Sequence, residues 1–575
     1  MGHITTATSL VDLLCQRMAN GADAEALWRP RDGQWQTVRW SEYGRDIAQL
    51  ASALVRMGVG RGDRVAHLSE NRYEWIVTDL AILSVGAIHV PIHATLSASQ
   101  VGYQVQHSGA KLAIASSTAQ VQKLAGVAQE FAGRLVVIAD EKPTTEWPTP
   151  VIGFREWMES GELAHGRQVL ETMASSLGSE DLATILYTSG TTGEPKGVML
   201  SHGNLVSNTL ATLQTFDPDP RMRRLNFLPF SHIFARTCDL YIWIAGGTEL
   251  ALARSRETVL EDCKATQPTW VNGVPYFFEK VWRGLREQGT ADEPGSLREI
   301  LGGRIKYCHS GGAALSPQIF DYYFSQGVPL LEGYGLTESS PVITASTRHA
   351  VKRGSVGQPI PGVDVRISEE GEIQTRGPQV MKGYYRDAAS TEEAVRDGWL
   401  STGDLGTLDA DGFLRITGRK KELIVTAAGK NIAPVLLESR LTQDPRIQQA
   451  IVIGDARNYL VALVVPDWER VRSEAFAGEP DETQCSSDSP DTWRNDPRVR
   501  DLIAQAIADR LADLSPHEQV RRFTLLLRPF TIEQGELTPK LTLRRQQIES
   551  IYAREIAELY TRAPSTTEPL PRGSE

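Results

Sequence analysis

From about residue 40 to 340 short apolar runs alternate with stretches whose apolar positions recur at helical spacing. Arg64–Leu68, Gly86–Ile92, Lys111–Ala115 and Arg134–Asp140 read as strands, and Tyr43–Met57 reads as a helix between them. Such alternation predicts a mostly parallel sheet with helices on its faces. The most apolar long stretch, Trp75 to Ile92, carries Asp79 and Gly86 and runs into Pro91. It predicts a buried helix followed by a strand, not a membrane span. From Gly354 the segments become short, alternating and glycine-punctuated: Val363–Ile367, Glu372–Thr375 and Gly412–Ile416, with Asp409-Ala-Asp411-Gly412 as a hairpin turn. This predicts a β-rich subdomain closing the large unit.

Beyond Gly418 the pattern predicts a smaller α+β unit. Leu423–Thr426, Ala450–Ile453 and Tyr459–Val465 are strand-like, and Pro497–Leu514 is an amphipathic helix. Gly478–Pro490 reads as a surface loop and the stretch from Ala563 as a disordered tail. The expected organisation is therefore an α/β N-terminal domain of parallel-type sheets over 1–418, an α+β C-terminal domain over 419–562, and a tail over 563–575. No internal repeat is visible.

The strongest local signal is Ile185-Leu-Tyr-Thr188-Ser189-Gly190-Thr191-Thr192-Gly193-Glu-Pro-Lys196-Gly197. An apolar strand enters a loop dense in glycine and hydroxyl groups, and a helix is expected to start near Ser201. Glycines let backbone N–H groups approach an anion, the hydroxyls add donors and Lys196 adds charge, which is what a polyphosphate requires. The Walker A spacing is absent, because Pro195 precedes the lysine and Gly197 follows it.

This loop resembles the signature of adenylate-forming enzymes: acyl-CoA synthetases, peptide-synthetase adenylation domains and firefly-type luciferases. Further motifs follow in that superfamily's order from about residue 25 to 560. His309-Ser-Gly311-Gly312-Ala313 leaves space near the backbone for a ring or an acyl chain, and the preceding Arg304–Cys308 reads as a strand. In Leu331-Glu332-Gly333-Tyr334-Gly335-Leu-Thr337-Glu338, Tyr334 offers an aromatic face for adenine and Thr337 a phosphate contact. Glu338 offers a hard oxygen for Mg²⁺, and the resemblance makes Thr188 and Glu338 the magnesium-side pair. Asp404, in Ser401-Thr-Gly-Asp404, suits two ribose hydroxyls, and Arg419 is the second ribose and phosphate contact by resemblance. His232, in Leu228-Pro-Phe-Ser-His232, is expected near the acyl carboxylate.

The resemblance places a hinge at Lys421 and, after rotation of a mobile C-terminal domain, brings the Gly429 loop to the site to help admit coenzyme A. The stretch Thr426-Ala-Ala-Gly429-Lys-Asn-Ile-Ala-Pro434 resembles the long-chain fatty acyl-CoA synthetase branch. Two positions depart from that branch: Arg236 stands where some long-chain enzymes carry a tunnel-gating Trp, and Tyr276 where Arg is expected. In Gly535-Glu-Leu-Thr-Pro-Lys540-Leu-Thr542-Leu-Arg544 the lysine expected to stabilise the adenylation transition state is Lys540; many long-chain relatives would place it at Thr542.

The implied reaction is activation of a fatty acid, with ATP, Mg²⁺ and coenzyme A, to an acyl-CoA through an acyl-adenylate. A fatty acyl-AMP ligase that passes the acyl group to a carrier protein, an amino-acid adenylation domain and a catalytically dead nucleotide-binding scaffold stay open beside it. Composition narrows the partners. The 575 residues carry 60 Lys and Arg against 71 Asp and Glu, a net charge of -11, which disfavours a general nucleic-acid binder. Five scattered cysteines, Cys15, Cys238, Cys263, Cys308 and Cys485, form no CxxC pair. With no visible secretory signal they suggest a reducing, cytoplasmic setting. Peripheral contact with a membrane, acyl chain length and oligomeric state are left open by the sequence.

Overall fold

The computed structural model describes residues 2–127, 134–137, 151–188, 194–216, 218–219, 221–477, 490–531, 534–537 and 543–561. The chain divides into two compact units, 1–402 with 408–415, and 403–407 with 416–575. The division falls inside a hairpin of strands Trp399–Leu408 and Leu414–Arg419, whose turn is closed by Asp409 and Gly412.

The first unit holds two large sheets. The eight-stranded sheet runs in the order Gly383–Tyr384, Lys196–Ser201, Leu182–Thr188, Ile88–Ile92, Arg64–Leu68, Leu112–Ala115, Arg134–Val137, Val151–Gly153. Its strands are parallel from Leu182–Thr188 onward. The nine-stranded sheet has a parallel core of Leu330–Gly335, Tyr307–Ser310, Trp270–Gly273, Arg223–Asn226, Glu249–Leu252 and Glu25–Arg31, flanked by antiparallel edge strands.

The periodicity located most elements within a few residues. The helix expected at Tyr43–Met57 is Trp40–Arg56, and the apolar stretch after Tyr73 is the buried helix Tyr73–Leu83 followed by strand Ile88–Ile92. Trp40 stacks on Trp243 with ring centroids 4.4 Å apart, so helices Trp40–Arg56 and Ile242–Gly246 share one core. Each aliphatic side chain sealed there contributes about 1.5–3 kcal/mol.

Other boundaries needed correction. The strand expected at Arg304–Cys308 is Tyr307–Ser310, because Cys308 pairs with Leu330 and Ser310 with Glu332. The strand expected at Gly412–Ile416 is Leu414–Arg419. The helix expected near Ser201 does start there, at His202, but a strand not read from the sequence precedes it. Lys196–Ser201 first returns as an antiparallel strand, with Lys196 opposite Thr188, and helix His202–Phe216 follows. Gly197, Val198, Leu200 and Ser201 are the buried positions of that strand.

A helix that begins at Ile233 continues through a π-helical turn, Arg236–Tyr241, into Ile242–Gly246. Its side chains bond to both sheets. Arg236 donates to Thr184 Oγ1 at 2.8 Å on the eight-stranded side. Asp239 accepts from Asn226 Nδ2 at 2.8 Å and Asn272 Nδ2 at 2.6 Å on the nine-stranded side.

The second unit has a three-stranded sheet, Ile447–Ile453, Leu460–Pro466 and Val520–Leu525, covered by helices that include Pro434–Leu441 and Pro497–Leu511. The strand expected at Leu423–Thr426 shrinks to Ile424–Val425, paired with Asn431–Ile432. The expected loop at 478–489 and the tail from 563 lie outside the described residues. Among the described residues no helix is long and apolar enough to cross a membrane.

Candidate active site

In parallel sheets, ligands bind beyond the carboxyl ends of the strands. The candidate residues of the first unit cluster there. Strand Arg223–Asn226 leads to His232, strand Tyr307–Ser310 to Gly311–Ala313, strand Leu330–Gly335 to Thr337 and Glu338, and strand Leu182–Thr188 ends on Thr188 itself.

The loop Leu228–His232 is pinned from beneath. Asn71 Nδ2 donates to the Leu228 carbonyl at 2.6 Å, and Asn71 Oδ1 accepts from Phe230 N–H at 2.9 Å. Ser231 Oγ lies 2.8 Å from Nδ1 of His93, the residue that follows strand Ile88–Ile92. The two sheets therefore meet at this loop. His232 Nδ1 accepts the Phe234 N–H at 3.2 Å. In the neutral imidazole this places the proton on Nε2. Phe234 in turn faces Gly311, where an added Cβ would lie 3.2 Å from its ring. The two motifs are thus adjacent.

His309 and Ser310 are buried, and His309 packs among Phe216, Trp270 and Tyr307 with centroids 4.3–5.3 Å away. Burial, reinforced by the Arg224 charge, lowers the His309 imidazole to about 3. Gly312 has a φ of 81° and it and Ala313 are exposed. Burial raises the Glu332 carboxyl to about 8, against a bond from Leu315 N–H, so the group is largely neutral near pH 7. Gly333 and the buried Tyr334 complete the strand, whose last residue, Gly335, has no room for a side chain: a Cβ would lie 1.7 Å from the Pro341 carbonyl.

Lys196 and Glu338 converge on a residue outside the expected set. Glu338 Oε1 accepts the Tyr384 hydroxyl at 3.0 Å, and Lys196 Nζ lies 5.0 Å from the centre of the Tyr384 ring. Lys196 also donates to Ser390 Oγ at 2.5 Å and stands 3.9 Å from Asp387. Sequence reading missed Tyr384, Asp387 and Ser390. Their signal was the run Gly383-Tyr-Tyr-Arg-Asp387 followed by hydroxyl residues, which carries no distinctive spacing. Ser189, Gly190, Thr191, Thr192 and Gly193 lie outside the described residues.

A divalent magnesium ion prefers oxygen donors and commonly takes one or two carboxylates together with substrate phosphates. Glu338 fits that chemistry. Its Oε1 is held by Tyr384, and among the described residues Oε2 accepts no hydrogen bond. Thr188, half-buried at the strand end, offers a hydroxyl oxygen of the same hard character.

In the second unit Asp404 is buried and accepts from Arg419 Nε at 2.8 Å. The two expected ribose contacts are therefore partners. Lys421 is exposed on a short 3₁₀ turn, Lys420–Glu422. Gly429, with a φ of 71°, turns the chain between strands Ile424–Val425 and Asn431–Ile432, its N–H donating to the Thr426 carbonyl. Leu537 and Leu543 form an antiparallel bridge, and Lys540 between them lies outside the described residues. At the base of that bridge Glu536 is sealed from solvent and accepts both Arg528 guanidinium arms at 2.7 and 2.8 Å and the Tyr552 hydroxyl at 3.1 Å.

Comparison with known proteins fits this arrangement. The chain is 35% identical to the long-chain-fatty-acid–CoA ligase FadD15 of Mycobacterium bovis, over 92% of this chain and 93% of that protein. It is 30% identical to the peroxisomal long chain acyl-CoA synthetase 7 of Arabidopsis thaliana, over 94% and 84%. Its fold matches a crystal structure of the anthranilate CoA ligase AuaEII in complex with anthranoyl-AMP, with a TM-score of 0.77, 20% identity, and coverage of 96% of this chain and 98% of that one. The AMP-binding enzyme family model matches residues 15–385 and the AMP-binding enzyme C-terminal domain model matches residues 421–564, so the chain belongs to the AMP-binding enzyme family.

Proposed function

We propose that the protein is an AMP-forming acid–thiol ligase that activates a long-chain fatty acid to its acyl-CoA. The observation that carries this reading is the similarity to a long-chain-fatty-acid–CoA ligase along nearly the whole length of both chains. In the first half-reaction a carboxylate oxygen attacks the α-phosphorus of ATP, the bond to the β-phosphoryl oxygen breaks, and pyrophosphate leaves. Lys196 and the backbone of the 189–193 loop hold the leaving group, and Lys540 stabilises charge on the α-phosphate. Thr188 and Glu338 would hold Mg²⁺, whose charge neutralises the phosphates when it is bound. Tyr334, Asp404 and Arg419 hold the nucleoside, and His232 with Gly311–Ala313 shapes the acyl side. In the second half-reaction the coenzyme A thiol attacks the acyl carbonyl and AMP leaves. Rotation about Lys421, with Gly429 facing the site, separates the two steps.

The test is pyrophosphate release from ATP and Mg²⁺ with acids from acetate to long-chain fatty acids and benzoates, with and without coenzyme A, and with acyl-CoA measured separately. Acyl-CoA with a long-chain maximum is expected. Pyrophosphate without acyl-CoA would move the protein to the acyl-AMP ligases. No pyrophosphate with any of these acids would count against activation of the classes tested.

A further inference from the structure

We infer that Tyr384 is a positioning residue for adenylation, holding the carboxylate of Glu338 and the ammonium of Lys196 at fixed places relative to one another. The inference rests on the roles proposed above for those two residues. Lys196, at the start of its strand, and Glu338, on the 3₁₀ turn Thr337–Ser339, are far apart in sequence, yet each contacts the same side chain: the phenol hydroxyl reaches Glu338 Oε1 at 3.0 Å and the ring centre is 5.0 Å from Lys196 Nζ.

The backbone that carries Tyr384 is itself joined to both partners. Tyr384 pairs with Val198 and Gly383 with Met199, so this two-residue strand extends the sheet beside the strand that begins at Lys196. Tyr385 N–H donates to the Gly197 carbonyl at 2.7 Å, and Met381 N–H donates to the Glu338 carbonyl at 2.9 Å. Tyr384 N–H is fixed by Thr391 Oγ1 at 2.8 Å. The phenol therefore stands on a scaffold shared by the two groups it touches.

Its chemistry suits a donor: the hydroxyl has a proton to give, and an ionised carboxylate has only lone pairs to receive it. It can only donate to the carboxylate, which directs one oxygen and leaves the other for a hard cation or a substrate group. The ring face attracts an ammonium, and Asp387 and Ser390 also contact Lys196. Tyr384 never touches the reacting atoms in this account; it acts through Glu338 and Lys196.

The experiment is a double-mutant cycle on acid-dependent pyrophosphate release, using Tyr384→Phe, Glu338→Gln and the double variant in the full chain, with a thermal melt of each. Phenylalanine keeps the ring for Lys196 and removes only the hydroxyl. A bond to a charged group of this kind sets a loss of about tenfold or more in kcat for Tyr384→Phe. The double variant is expected to be no slower than Glu338→Gln alone, because the hydroxyl has lost the charge it orients. A packing role would give multiplied losses and a lowered melt, and that result overturns the inference. An unchanged rate for Tyr384→Phe, with Glu338→Gln impaired, overturns it too. An unimpaired Glu338→Gln instead refutes the proposed role of Glu338. Tyr384→Leu, which also removes the ring, should further raise the KM for ATP.

Discussion

Arg236 and Asp79 meet at 2.5 Å with neither side chain exposed to solvent. Asp79 also takes His89 Nδ1 at 2.6 Å and the Tyr241 hydroxyl at 3.0 Å. Burial opposes ionisation there, but the Arg236 charge and the His89 bond prevail and hold the carboxyl below its usual value. Arg236, at the position where a gating Trp is expected in some long-chain enzymes, is a clamped cation.

Removing one member of a buried pair leaves the other charged and unpaired, at a cost of about 3–5 kcal/mol. Arg236→Met should lose that much stability in denaturant unfolding. Arg236→Met with Asp79→Leu should lose less than the sum of the two single changes. Additive losses would show that the two groups do not depend on each other.

Acid should unfold the first unit through buried histidines. Burial lowers His202 to about 4 and His309 to about 3, from an unfolded value near 6.5. Between these values the unfolded chain binds more protons than the folded one, so stability is full above about pH 6.5 and falls as pH drops toward 4 and then 3. His309→Phe should flatten the stability curve in that window while leaving it unchanged in shape above pH 7. Equal slopes for variant and wild type would refute this.

Glu332 should act with the opposite sign. Its folded value of about 8 lies above the unfolded value near 4.5, so the folded chain holds the extra proton. Stability from this group is full below pH 4.5 and declines as pH rises to 8, at no more than about 1.4 kcal/mol per pH unit. Glu332→Gln, shaped like the neutral acid, should match wild type near pH 4.5 and exceed it at pH 8. Urea unfolding at the two pH values decides.

Lys540→Ala should slow acid-dependent pyrophosphate release by about a hundredfold or more, as loss of a transition-state charge partner does. Conversion of preformed acyl-adenylate and coenzyme A to product should persist. Glu536→Gln loses the paired acceptor for Arg528 at the base of the same segment and should shift the two half-reactions in the same directions, by less. If both half-reactions fall together for Lys540→Ala, the lysine does not distinguish them.

The sequence made the strands legible where apolar runs were bounded by turns, as at Arg64–Leu68 and Ile88–Ile92. It placed Gly311 just after a strand, because an apolar run ending at Cys308 precedes it. It did not reveal the returning strand Lys196–Ser201, whose Gly197 and short length give a weak alternating pattern. Nor did it reveal Tyr384 or Glu536, whose partners are chosen by pairing and burial between distant segments. Asp79 stood out in the sequence only as a charge within an apolar stretch and Arg236 only as a departure from some long-chain relatives, and their contact across 157 residues joins the two.

The π-helical turn Arg236–Tyr241 holds Arg236 toward one sheet and Asp239 toward the other. A turn of this kind is a one-residue insertion in an α-helix, and an α-helix rotates about 100° per residue. Deleting a single residue between these two would swing Asp239 away from Asn226 and Asn272 while Arg236 stayed in place. Point substitutions can vary this segment gradually, but its length is locked: a lineage that shortened it by one would lose a tie to a whole sheet in one step.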